Sequence, residues 1–142
     1  MDSLVWEVIR VVDTEGDRAA WTFPAEPGAV RAARSAVRAQ LHGWDLDRLA
    51  DPAALLVSEL VTNSLRHATG PIEVRLVRPT GLDGVLLAEV SDPLPEFPRE
   101  RAARPDEESG RGLQLVASTS RRWGTRPGGA GKTVWFELGV PT

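Results

Sequence analysis

Cysteine is absent from this 142-residue chain, which excludes a disulfide framework and any thiolate metal site. Histidine occurs only at His42 and His67, too few for a zinc cluster. Lysine occurs once, as Lys132, against sixteen arginines; with abundant Ala, Gly and Pro this skew points to a GC-rich genome rather than to arginine-specific recognition. No apolar run approaches the roughly 20 residues that span a bilayer. The amino terminus lacks the basic region and apolar stretch of a signal peptide, so a cytoplasmic chain without membrane contact is expected. The net charge of −3 supplies no bulk basic field to recruit nucleic acid.

What is present is ordinary for a folded chain: 42% hydrophobic and 26% charged residues, in a length that suits one domain over 1–142. Residues 4–12 and 18–23 are rich in β-formers around a short connection, so 1–23 reads as an N-terminal hairpin. Val30, Ala33, Val37 and Leu41 recur at helical spacing over 28–41, with Arg31, Arg34 and Arg38 on the other side. After a loop over 43–47, Asp51-Pro52 is a helix start signal, and Gly70-Pro71 stops that helix after Thr69. Ala53, Leu56, Val57, Leu60, Val61 and Leu65 form its apolar stripe. Glu59 falls opposite the stripe and Asn63 on its flank.

Residues 72–76 and 85–90 read as strands joined by a turn over 81–84. Pro93, Pro95, Pro98 and Pro105 then make an irregular segment. A short helix over 113–119 precedes strands over 122–126 and 133–138, joined by a glycine-rich turn. The Gly131-Lys132-Thr133 triplet invites a P-loop reading, which fails. The glycine needed five positions earlier is Arg126, and a strand follows where a helix is required.

Taken singly, the polar residues have plain structural explanations. Glu59 and Asn63 suit a solvated helix face, Asp92 a turn before Pro93, and His67 a helix end. Together they offer a specific chemistry. Asn63 can supply an oxygen to magnesium, which otherwise takes phosphate oxygens and water. Glu59, one turn earlier, can orient or deprotonate an attacking hydroxyl. Asp92, ending a strand, can accept a hydrogen bond from an adenine amino group. Gly110-Arg111-Gly112, opening a helix, offers amides to phosphate.

The order Glu59-x-x-x-Asn63, Asp92, Gly110-x-Gly112, Thr133 resembles the GHKL ATPase superfamily of gyrase, heat-shock chaperones and histidine kinases. Within it the chain is most similar to small ATP-binding proteins related to anti-sigma-factor serine kinases. The resemblance runs from Phe23 to Leu138 and includes Ser-Glu-Leu-Val-Thr-Asn-Ser and Gly-Arg-Gly-Leu-Gln-Leu-Val. It implies an α+β two-layer sandwich, the Bergerat ATP-binding fold, with a mixed, mostly antiparallel sheet covered by helices on one face.

By the same resemblance Glu59 is a general base, Asn63 the Mg2+ ligand, and Asp92 the adenine-binding residue helped through water by Thr133. His67, Gly110, Arg111, Gly112 and Leu113 complete the ATP contacts, and 93–111 forms a lid. ATP and Mg2+ are the implied cofactors. The implied partners are an anti-sigma-factor antagonist-like protein as phosphoacceptor, a sigma factor, and a second copy of the chain in a homodimer. One departure stands out: where the family has Asp-x-Gly-x-Gly, this chain has Asp92-Pro93-Leu94-Pro95. The prolines remove amide donors and glycine hinges. Two functions therefore compete: a serine/threonine kinase, and a nucleotide-sensing module that binds a transcription regulator without catalysis.

Overall fold

Apolar residues at every second position along four strands assign one face of a sheet to the core. The buried members are Ala19, Trp21 and Phe23 in the first, Ile72, Val74 and Leu76 in the second, Leu86, Ala88 and Val90 in the third, and Val134, Phe136 and Leu138 in the fourth. The computed structural model describes residues 10–15, 17–67, 70–79, 84–93, 108–128 and 131–140, without the side chains of 10–15, 67, 108–113 and 128. Its elements are β1 (Arg10–Glu15), β2 (Arg18–Phe23), α1 (Gly28–Gly43), α2 (Asp47–His67), β3 (Ile72–Val77), β4 (Val85–Asp92), α3 (Glu108–Thr119), β5 (Arg122–Gly128) and β6 (Gly131–Gly139).

The six strands lie in the order β1-β2-β3-β4-β6-β5. Every described neighbour pair is antiparallel, so the parallel component of the expected mixed sheet does not occur among them. The helices form the second layer: α2 packs against β3, β4 and β6, while α1 and α3 pack against α2 and reach β2 and β5 respectively. The α+β two-layer sandwich is thus present. Its core joins the inner strand residues to Ala33, Val37 and Leu41 of α1 and to Leu56, Val57, Leu60 and Val61 of α2. Each such large aliphatic side chain contributes about 1.5–3 kcal/mol by leaving water. Pro127 falls in β5, an edge strand, where a missing amide donor is tolerated.

Several boundaries differ from the sequence expectation. In the hairpin, β1 continues to Glu15, which pairs with Arg18, leaving two residues between the strands; residues 1–9 lie outside the described set. The second helix starts at Asp47, not at Asp51-Pro52, and Pro52 lies inside it. The extra turn is held by burial of Leu49 and by its amide bonding to Leu46 O at 2.9 Å. Packing there outweighs the hydrogen bond that proline forgoes so near the helix start.

The described part of that helix runs to His67, and residues 68–69, where its expected end falls, lie outside the described set. Finally, α3 opens at Glu108, so Gly110-Arg111-Gly112 lies within the helix rather than ahead of it. The turns over 81–84 and 128–131 and the expected lid over 93–111 fall largely outside the described residues.

The α1–α2 connection closes without glycine at its strained position. Leu46 N bonds to Leu41 O at 2.8 Å and Asp45 N to His42 O at 3.0 Å, the paired bonds of a Schellman cap. Asp45 carries the left-handed conformation, with φ 61°. His42 Nδ1 also lies 2.8 Å from Asp47 Oδ1. This hydrogen bond and the charge of Asp47 raise the imidazole pKa, with a smaller contribution from Asp45.

Candidate functional site

At the end of β4 the alternation that builds the core delivers a carboxylate instead of an aliphatic group. Asp92 follows Val90 on the helix-covered face and is 5% exposed. A buried carboxylate needs partners, and α2 and β6 both contribute. Ser64 of α2 donates its hydroxyl to Asp92 Oδ2 at 2.9 Å. Lys132, directly opposite Asp92 on β6, places Nζ 3.9 Å from the same oxygen. Lys132 is itself 8% exposed.

Backbone contact tightens this corner further. A Cβ at Gly131 would fall 1.8 Å from the Asp92 carbonyl oxygen, so only glycine lets β6 start this close to the end of β4. A Cβ at Gly70 would come 2.9 Å from Pro93 Cγ, so the chain leaving Asp92 runs against the segment leaving α2.

The Ser64 hydroxyl ties α2 to the sheet one residue beyond Asn63. Helical spacing puts Glu59 away from the stripe of Leu56, Val57, Leu60 and Val61 and Asn63 between the two, at the flank of that stripe beside Leu56. Both are half-buried, whereas Leu55 on that outward side is exposed. Neighbouring hydroxyls are spent within the helix: Ser58 Oγ donates to Leu55 O and Thr62 Oγ1 to Ser58 O, each at 2.8 Å. A polar pair on α2 and a buried carboxylate on β4 are therefore joined through one hydrogen bond.

Thr133 is placed elsewhere. It pairs with Ser91, one residue from Asp92, and adjacent strand residues point to opposite faces. Its hydroxyl lies 2.6 Å from that of Ser91, on the face without helices. The position beside Asp92, expected for Thr133, belongs to Lys132. On the Thr133 face Glu89, 7% exposed, pairs with Arg126 and, at 3.7 Å, with Arg75. That network balances a buried charge and is separated from Asp92 by the sheet.

Gly110, Arg111, Gly112 and Leu113 sit in the opening half of α3, which packs on α2. Amides of a first helical turn have no partner inside the helix, and Gly110 belongs to that turn. The side chains of His67, Arg111 and Leu113 are outside the described set. Among the described residues no three acidic or histidine side chains group around a metal position. The donor set fits a magnesium held by one amide oxygen and the phosphates of a bound nucleotide, not an all-protein cage. A cleft lined by Leu46, Leu49 and Val140 lies at the other end of β6 and contains none of the candidate residues. No described helix is long and apolar enough to cross a membrane.

Two residues of this corner, Ser64 and Lys132, were not singled out as ligands from the sequence. Ser64 betrays itself only as a hydroxyl within an apolar stripe. Lys132 is the lone exception to the arginine usage.

Residues 23–138 match the family model described as the histidine kinase-like ATPase domain. No curated protein matches the sequence. Among solved structures, the histidine kinase domain from the Erythrobacter litoralis EL346 blue-light activated histidine kinase is similar, with 23% identity and a TM-score of 0.48. The match covers 83% of this chain and 62% of that one, so the chain spans less than two thirds of that domain's length.

Proposed function

We infer the function from the family: the chain belongs to the histidine kinase-like ATPase domain family and is an ATP-binding regulatory domain of GHKL type. Beyond this, the reading supported best is a protein serine/threonine kinase of the anti-sigma-factor type, acting on a small antagonist protein and binding a sigma factor. What supports it is the family together with Glu59 one turn before Asn63, on the helix that the Ser64–Asp92 hydrogen bond ties to the buried carboxylate.

Bound ATP would supply a transferable γ-phosphoryl group. Asp92 would accept a hydrogen bond from the adenine amino group, and the first-turn amides of α3, Gly110 among them, would face the phosphates. Asn63 would hold Mg2+ through its side-chain oxygen. Glu59 would take the proton of the attacking hydroxyl as the new oxygen–phosphorus bond forms and ADP departs.

Calorimetric titration with ATP and magnesium tests the binding half, with Asn63→Ala expected to weaken it by about tenfold or more. Transfer of label from γ-labelled ATP to a cognate antagonist tests the kinase half. Glu59→Gln is expected to bind ATP normally and transfer nothing. Label transfer by Glu59→Gln at the normal rate removes the base role.

A second reading has its own observation. Pro93 lies against Gly70, and in the sequence Pro95 follows, where the family has glycines. Prolines in place of the family's glycines favour a nucleotide-sensing module that binds its partner without phosphorylating it. Partner affinity that changes with ATP, with no ADP formed and no mass gained by the partner, would select this reading.

A further inference from the structure

Of the 17 basic side chains, Lys132 alone is lysine. It stands opposite Asp92 on the helix-covered face, with 9% of its side chain exposed against 1% for that of Asp92. Ser64 addresses the same carboxylate oxygen from α2. Three elements, α2, β4 and β6, therefore converge on one carboxylate.

Stability alone is a poor account of this arrangement. Two charges withdrawn from water recover their hydration only in excellent geometry, and a well-packed apolar pair in such a place is often neutral or stabilising. At 3.9 Å the ammonium is beyond direct hydrogen-bond distance. It compensates the carboxylate's charge without gripping it. An arginine, the default basic residue of this chain, would fork across both carboxylate oxygens and hold them bidentately. A lysine ammonium is a point charge on a flexible stem and leaves the carboxylate's geometry to its other neighbours.

We infer that Lys132, with Ser64, is a positioning residue for purine recognition: it compensates the buried Asp92 and keeps its carboxylate aimed at the 6-amino group of adenine. The inference rests on the ATP-binding reading above and adds to it a residue on which selection of the base depends. Thr133, on the other face of the sheet, takes no part in it.

The test is calorimetric titration of the full chain with two magnesium nucleotides, ATP and purine riboside triphosphate, which is ATP without the 6-amino group. The unmodified chain should prefer ATP by about tenfold to a hundredfold, the range spanned by hydrogen bonds to charged groups. Lys132→Met should weaken ATP binding by about tenfold and leave the analogue within about twofold, so that the preference collapses. Ser64→Ala should move the same ratio in the same direction by a smaller factor.

Equal weakening of both nucleotides marks a structural role and overturns the inference, as does an unchanged preference in a folded variant. If Lys132→Met does not fold, Ser64→Ala decides by the same ratio. An unmodified chain that binds both nucleotides equally defeats this inference while the nucleotide site stands. One that binds neither defeats the ATP reading as well.

Discussion

Ser58 and Ser64 are both 3% exposed and both lie on α2, yet their hydroxyls do different things. Ser64 donates to a buried carboxylate at 2.9 Å, whereas Ser58 donates to a carbonyl of its own helix at 2.8 Å. Replacing either by alanine removes one oxygen and gains roughly 0.5 kcal/mol of helix propensity. A hydrogen bond to a charged group contributes about 1.5–3 kcal/mol. A back-bond to the helix contributes little, since that carbonyl keeps its ladder partner. Ser64→Ala should therefore destabilise by about 1–2.5 kcal/mol, and Ser58→Ala by about zero.

Urea unfolding followed by tryptophan fluorescence reads both, with a midpoint lower by about 1 M expected for Ser64→Ala. Lys132 limits the loss, because its ammonium remains 3.9 Å from the same oxygen. Equal midpoints for the two variants would refute the claim that Ser64 is what fastens α2 to β4.

Three further perturbations address the scaffold. Gly124→Ala would put a Cβ 2.8 Å from Trp135 Cζ2, so a loss of about 1–3 kcal/mol with a changed tryptophan emission is expected in the same unfolding assay. Asp45→Gly relieves a left-handed residue at φ 61° and should raise stability by about 0.5–1 kcal/mol; a lowered melting temperature would contradict the cap assignment. His42 has its pKa raised from 6.5 by Asp47, so its contribution is fully present below that value and is lost as pH rises through the higher folded value. Unfolding midpoints across that window should fall in the unmodified chain, and Asp47→Asn should remove this component of the slope.

The elements with clean periodicity were legible from residues alone. Val74 and Leu76, Ala88 and Val90, and Val37 and Leu41 each repeat at the spacing of their element and are buried where that spacing puts them. The helix start at Asp47 was not legible, because Asp51-Pro52 is the stronger local signal and only burial of Leu49 overrides it. Glu59, Asn63 and Asp92 could be named because their residue types and order carry chemistry. Their connection could not, because it passes through Ser64, a residue that helices hold for many reasons. The facing of Lys132 and Thr133 depends on strand register, which a single sequence does not specify when polar residues occupy both faces at a strand end.

Strand order has a consequence for how the chain is made. β6 lies between β4 and β5 although it is the last strand in sequence, and β5 pairs with no other described strand. During synthesis α2 and β4 emerge early and can dock through Ser64 and Asp92. The sheet then waits for β6, whose Thr133 must find Ser91 across 42 positions. Such long-range pairing is slow compared with helix formation. Lys132 arrives with that strand, so completion of the sheet and completion of the corner around Asp92 are a single event. A nascent chain stalled before β6 would carry Glu59, Asn63 and Asp92 and still lack the cation that faces the Asp92 carboxylate.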